Sequence, residues 1–201
     1  MPRLAAALIA LVAWVGLGVQ YKASLAMTGG DPVQAAWVML RYFTVLTNLV
    51  AAIVMSLVAL GRRVSPGTLG GVTLAIMLVG VVYVTLLRGL LDLSGGAKLA
   101  DTLMHYATPV LVPLWWLMFA PKGKLEWRDP AIWSLFPLAY FPYALARGAY
   151  EGIYAYPFIN VAKIGWTQVG INAAVIAGGF LVAGNLVVAL DGLLGRGRRR
   201  R

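Results

Sequence analysis

The chain has 201 residues, of which 61% are hydrophobic and 12% charged, and its mean hydropathy is +0.80; soluble domains run near half apolar and a quarter charged, so an ordinary soluble fold is excluded and an integral membrane protein is expected. The absence of cysteine excludes disulfides, thiolate metal sites and cysteine nucleophiles, and a single histidine argues against a transition-metal centre or a bis-histidine haem, so no cofactor is expected. The net charge of +10 resembles a nucleic-acid signal, but five arginines lie in the terminal "GRGRRRR" (195–201) with no aromatic residue among them, which reads as contact with anionic lipid and not with nucleic acid.

A helix crosses a bilayer with about 20 mainly apolar residues. Cut at its Gly/Pro/charge clusters, the chain yields six such segments, near 4–26, 34–60, 69–92, 101–120, 131–150 and 167–191. The expected fold is all-α, a six-helix transmembrane bundle forming one domain over 1–201. The first segment also reads as a signal peptide with Ser24 and Ala26 at a small-residue cleavage site, although its apolar run exceeds the usual ~7 to 15 residues. Basic residues alternate by loop: Arg3, Arg62, Arg63, Lys122, Lys124, Arg128 and the tail fall on one side, Lys22, Lys98 and Lys163 on the other. The positive-inside rule then makes both termini cytoplasmic, as in a bacterial inner-membrane protein, with the tail at the cytoplasmic leaflet.

Polar residues interrupt these segments at their non-cytoplasmic ends. In the second, Arg41, Thr44 and Asn48 fall at i, i+3, i+7 on one helical face, with Tyr42 and Thr47 beside them. The third closes on Arg88 and Asp92 and the fifth on Arg147 and Glu151, i, i+4 pairs that read as mutual neutralisation. In the fourth, Asp101, His105 and Thr108 fall at i, i+4, i+7, and Pro109 withholds an amide from the His105 carbonyl, which predicts a bend. Gln168 and Asn172 open the sixth. A polar cavity in the outer leaflet is the expectation, since ionisable groups inside a bilayer are costly and mark function by default. His105 is the natural proton-transfer group, or else a tie between two helices. Threonines can equally back-bond to their own helix, and Asp101 can orient His105 or cap a helix start.

"RYFTVLTNL" in the second segment, "DTLMHYATPVLVPLWWL" in the fourth and "YAYPFINVAKIGW" before the sixth occur in an order that resembles the androgen-induced-gene family of six-helix membrane hydrolases, and most nearly its bacterial membrane-protein branch. The resemblance implies hydrolysis of fatty acid esters of hydroxy fatty acids by an intramembrane threonine nucleophile with a histidine partner. Carried over by motif, these roles fall on Thr44, which follows Arg41, Tyr42 and Phe43, and on His105; the Tyr-Pro-Phe landmark falls on Tyr156, Pro157 and Phe158. Two positions depart from the pattern: Asp101 stands where an amide side chain is expected, and Thr47 where some relatives carry an acid.

The resulting expectation is an intramembrane lipid ester hydrolase in which His105 takes the Thr44 hydroxyl proton and later returns it to the leaving alkoxide. Arg41, Asn48 and Tyr156 are candidate oxyanion donors, while Thr47, Asp101 and Thr108 surround the pair. Two other readings stay open. One is a proton-coupled small-solute transporter using His105 with Asp101, for which six helices without a visible repeat are few; the other is a non-catalytic membrane subunit whose polar groups hold the bundle together.

Overall fold

The computed structural model describes residues 1–199, all of whose regular structure is helical; Arg200 and Arg201 of the basic tail lie outside the described residues. In chain order the helices are α1 (Pro2–Met27), α2 (Pro32–Leu40), α3 (Phe43–Ala59), α4 (Pro66–Val82), α5 (Gly95–Thr102), α6 (Thr108–Phe119), α7 (Asp129–Glu151) and α8 (Val161–Arg199). A π-helical turn, Tyr83–Leu87, prolongs α4, and a second, Leu103–Ala107, joins α5 to α6 without a break. Three helices are long and apolar enough to cross a membrane: α1, α4 with its π turn, and α8; α2 and α3 together make a fourth if that bent pair is one span.

Starts and stops follow local chemistry. Proline occupies the first turn of α1, α2, α4 and α7, where its missing amide is no loss. The Asp31 carboxylate caps α2 through the amides of Val33 and Gln34, and the Ser65 hydroxyl caps α4 through that of Thr68, each satisfying donors that a helix start leaves unpaired. Gly152, at φ 69°, ends α7 in the left-handed conformation glycine adopts without strain.

The expected second helix, 34–60, is two helices bent by 97°. Tyr42 is extended (φ −101°, ψ 127°) and starts α3 afresh. The break survives because α7 supplies partners to carbonyls at the end of α2. Tyr143 Oη donates to Leu40 O at 3.0 Å, Tyr140 Oη to Arg41 O at 2.7 Å, and Arg147 Nη2 to Trp37 O. The third expected helix is shorter than read: it ends at Leu87, so Arg88 and Asp92 are not on a common helix and form no ion pair. The fourth starts earlier, at Gly95, and passes through Pro109 by way of the π turn in place of a simple bend. The sixth starts at Val161, with Gly165 (φ 75°) breaking its first turns.

Small residues set the helix spacing. Ala6, Ala10 and Ala13 of α1 and Ala51 and Ala52 of α3 are all essentially buried, as expected where helices associate by close packing in an apolar solvent. Around them Met55, Leu74, Ile76, Val112, Trp115 and Trp116 form the main core. At the same end of the bundle Asp191 of α8, fully buried, accepts the amides of Lys124 and Leu125 at 2.8 and 2.9 Å and ties the α6–α7 loop to α8.

Candidate active site

The start of α3, the end of α4, the π turn before α6, the end of α7 and the 3-10 turn Pro157–Ile159 all lie at one end of the bundle. The break at Tyr42 puts Thr44 in the first turn of α3, where backbone amides have no helical partner and the helix dipole is positive. Its amide donates to Tyr156 Oη at 3.4 Å. Its hydroxyl lies 3.2 Å from His105 Nε2 and 3.5 Å from Tyr156 Oη. Thr44 and His105 are 61 apart in sequence, and their side chains meet within hydrogen-bond reach.

Behind His105 stands Asp101, whose Oδ1 lies 2.9 Å from Nδ1. The contact is close, but Nδ1 makes no aligned hydrogen bond, so the two groups attract by charge and proximity more than by a directed bond. Because α5 begins six residues earlier, Asp101 is not a helix cap. Tyr83 completes the group: its hydroxyl donates to Asp101 Oδ2 at 2.7 Å, and its ring stacks on the imidazole at 4.1 Å between centroids and 16° between planes.

Asn48 and Thr108, one turn beyond the pair, fasten α3 to the histidine helix. The Asn48 amide donates to Thr44 O at 2.9 Å and to Met104 O at 3.2 Å, and Asn48 Oδ1 accepts the Thr108 hydroxyl at 2.6 Å. With both residues fully buried and the amide already engaged, Asn48 is not an oxyanion donor; it is a cross-brace. Arg41 is also committed elsewhere. It lies across the break from α3, not on the face of Thr44 and Asn48, and its guanidinium grips Glu151 Oε2 at 2.6 and 2.9 Å. Arg147 takes the other oxygen of Glu151 at 2.6 Å and stacks over Trp37 at 4.0 Å. The Arg147–Glu151 pairing expected from spacing is present and extended to a triad by Arg41. Tyr156 is left as the candidate donor beside Thr44, together with the Thr44 amide itself.

A cavity of about 310 Å³ begins at Thr44 and Tyr156 and runs between α4, α7 and α8, past Val79, Pro137, Ala177 and Phe180. Thr44 therefore has the histidine on one side and this space on the other. Its walls are overwhelmingly apolar, contrary to the expected polar cavity: Arg41, Arg147 and Glu151 pair with one another, Asp101 faces His105, and none of the five lines it. Gln168 and Asn172 bond to each other at 2.9 Å and are not among its walls. Thr47 is buried with its hydroxyl unpartnered beside a smaller cavity of about 190 Å³ between α3, α4 and α7, and it does not reach the Thr44–His105 pair.

No family model, no curated protein and no solved structure matches the chain.

Sequence reasoning missed Tyr83 and Tyr140. Neither sits at a spacing that ties it to the polar stripes, and the one available signal was a hydroxyl in an otherwise apolar segment at the level of His105. Among the described residues no group of three or more His, Cys, Asp or Glu side chains could hold a metal ion.

Proposed function

We propose that the chain is an intramembrane hydrolase of lipid esters, with Thr44 as nucleophile and His105 as base. The observation that carries this reading is the 3.2 Å approach of Thr44 Oγ1 to His105 Nε2 at the mouth of an apolar cavity. The cavity suits an acyl chain, which would enter laterally from the bilayer and leave its ester carbonyl at Thr44. His105 Nε2 takes the hydroxyl proton as Oγ1 adds to the carbonyl carbon. The oxyanion forms next to the Tyr156 hydroxyl and the amide end of α3. Collapse of the tetrahedral adduct breaks the ester C–O bond, and the proton on Nε2 passes to the departing alkoxide to give the alcohol. Water, deprotonated by the same nitrogen, then cleaves acyl-Thr44 to the free acid and restores the hydroxyl. Fatty acid esters of hydroxy fatty acids are the substrate class that the family resemblance implies.

The same reading takes the bundle as six crossings with both termini cytoplasmic, in a bacterial inner membrane. The continuous helix Gly95–Phe119 and α7 have the length to cross, which with α1, α2–α3, α4 and α8 makes six.

Purified protein in nanodiscs, supplied with long-chain lipid esters, is expected to release free acid, and an activated phosphonate is expected to label Thr44. Thr44→Ala and His105→Ala should each lower turnover by about a thousandfold or more while thermal unfolding is unchanged. Full activity in either folded variant sinks the proposal.

A further inference from the structure

Resting on the hydrolase reading for its catalytic consequence, though not for its geometry, we propose that Tyr83 is the positioning residue of this site, holding the Asp101–His105 pair so that Nε2 faces Thr44. Asp101 and His105 lie four residues apart on one helical stretch, and their 2.9 Å contact is not an aligned hydrogen bond. Such a pair leaves the imidazole free to turn about its Cβ–Cγ bond and leaves the tautomer unselected. The restraint comes from a different helix. The Tyr83 hydroxyl occupies Asp101 Oδ2, which holds the carboxylate with Oδ1 towards Nδ1. The Tyr83 ring lies flat against the imidazole and blocks its rotation, and Tyr106 backs that ring edge-on at 5.3 Å and 78°.

The backbone is built for this approach. Tyr83 opens one π turn and His105 is at the centre of the other; such turns are uncommon and recur at functional sites. Gly80, three residues before Tyr83, lies so close to Pro109 that a Cβ there would stand 2.7 Å from the proline Cβ. Glycine at that position therefore lets α4 come near enough for the two rings to stack. With the carboxylate held 2.9 Å from Nδ1, its negative charge favours the proton of the neutral ring on Nδ1, which leaves the Nε2 lone pair for the Thr44 hydroxyl.

The single histidine makes the test direct, because 15N-histidine labelling of the full chain in nanodiscs reports on His105 alone. Wild-type protein is expected to show one neutral tautomer, protonated on Nδ1. Tyr83→Phe keeps the ring and removes the hydroxyl; it should give a mixture of tautomers and lower kcat about tenfold with KM changed by less than about twofold. In an Asp101→Ala background Tyr83→Phe should add nothing further to either readout, since it acts through that carboxylate. A wild-type ring protonated on Nε2, a Tyr83→Phe protein with tautomer and kcat unchanged, or full additivity with Asp101→Ala each overturns the proposal. If wild-type protein hydrolyses no ester while Tyr83→Phe still mixes the tautomers, the hydrolase reading falls and the positioning role stands.

Discussion

Asn48 shows how little a residue's type says about its task at this site. By composition it is a donor next to a nucleophile, and therefore a candidate for the oxyanion; by contact it is the brace between α3 and the histidine helix, spending its amide on Thr44 O and Met104 O and its oxygen on Thr108. Asn48→Leu would remove the bonds to Met104 O and from the Thr108 hydroxyl at a fully buried position, leaving Thr108 only its longer 3.3 Å bond to Met104 O, at about 0.5–1.5 kcal/mol for each bond lost. Thermal unfolding in detergent should therefore show a clear loss of stability, whereas loss of an oxyanion donor alone would lower kcat and leave the unfolding temperature where it was. The i, i+3, i+7 spacing correctly put Thr44 and Asn48 on one face. It failed for Arg41, because periodicity assumes an unbroken helix and the chain turns through 97° between Arg41 and Thr44.

At the scale of elements, that turn creates the site. A threonine in the middle of a membrane helix has its amide committed to the preceding turn; after the break, the Thr44 amide has no helical partner and meets Tyr156 Oη instead, at the positive end of α3. No proline or glycine marks the break in "MLRYFTV", so it was not legible locally. It depends on Tyr140, Tyr143 and Arg147 of α7, a hundred residues further along the chain, to satisfy the carbonyls that α2 exposes. The cavity likewise belongs to no single element, and α8 contributes to it through Ala173, Ile176, Ala177, Phe180 and Leu181. Ala177→Phe would fill the space between α8 and α7. Its expected effect is selective: hydrolysis of long-chain esters should fall at least about tenfold while short-chain esters are cleaved as before, read from kcat/KM across a series of acyl lengths. An equal loss at every length would show that the acyl chain lies elsewhere.

For the molecule as a whole, composition carries much of the architecture. A chain with apolar runs this long is expected to be helical in a bilayer, since each backbone amide and carbonyl must find a partner without water, and all regular structure among the described residues is helical. Sidedness is open to a simple experiment because the chain has no cysteine. Cysteine introduced at Ser94, in the loop after α4, should react with an impermeant maleimide added outside intact cells; cysteine at Glu126, in the loop after α6, should react only after lysis. The opposite pattern would reverse the orientation read from the arginines. What the sequence by itself determined was the helical class, the membrane setting and the one end of the bundle where polar residues gather, because these follow from hydropathy and spacing along a continuous chain. Only the tertiary structure decided which of those residues meet. Arg41 went to Glu151, Asn48 to the neighbouring helix, and Thr44 to His105 with Tyr83 behind it, because each pairing closes a contact between helices that no local periodicity records, and in an apolar interior a polar group without such a partner is costly.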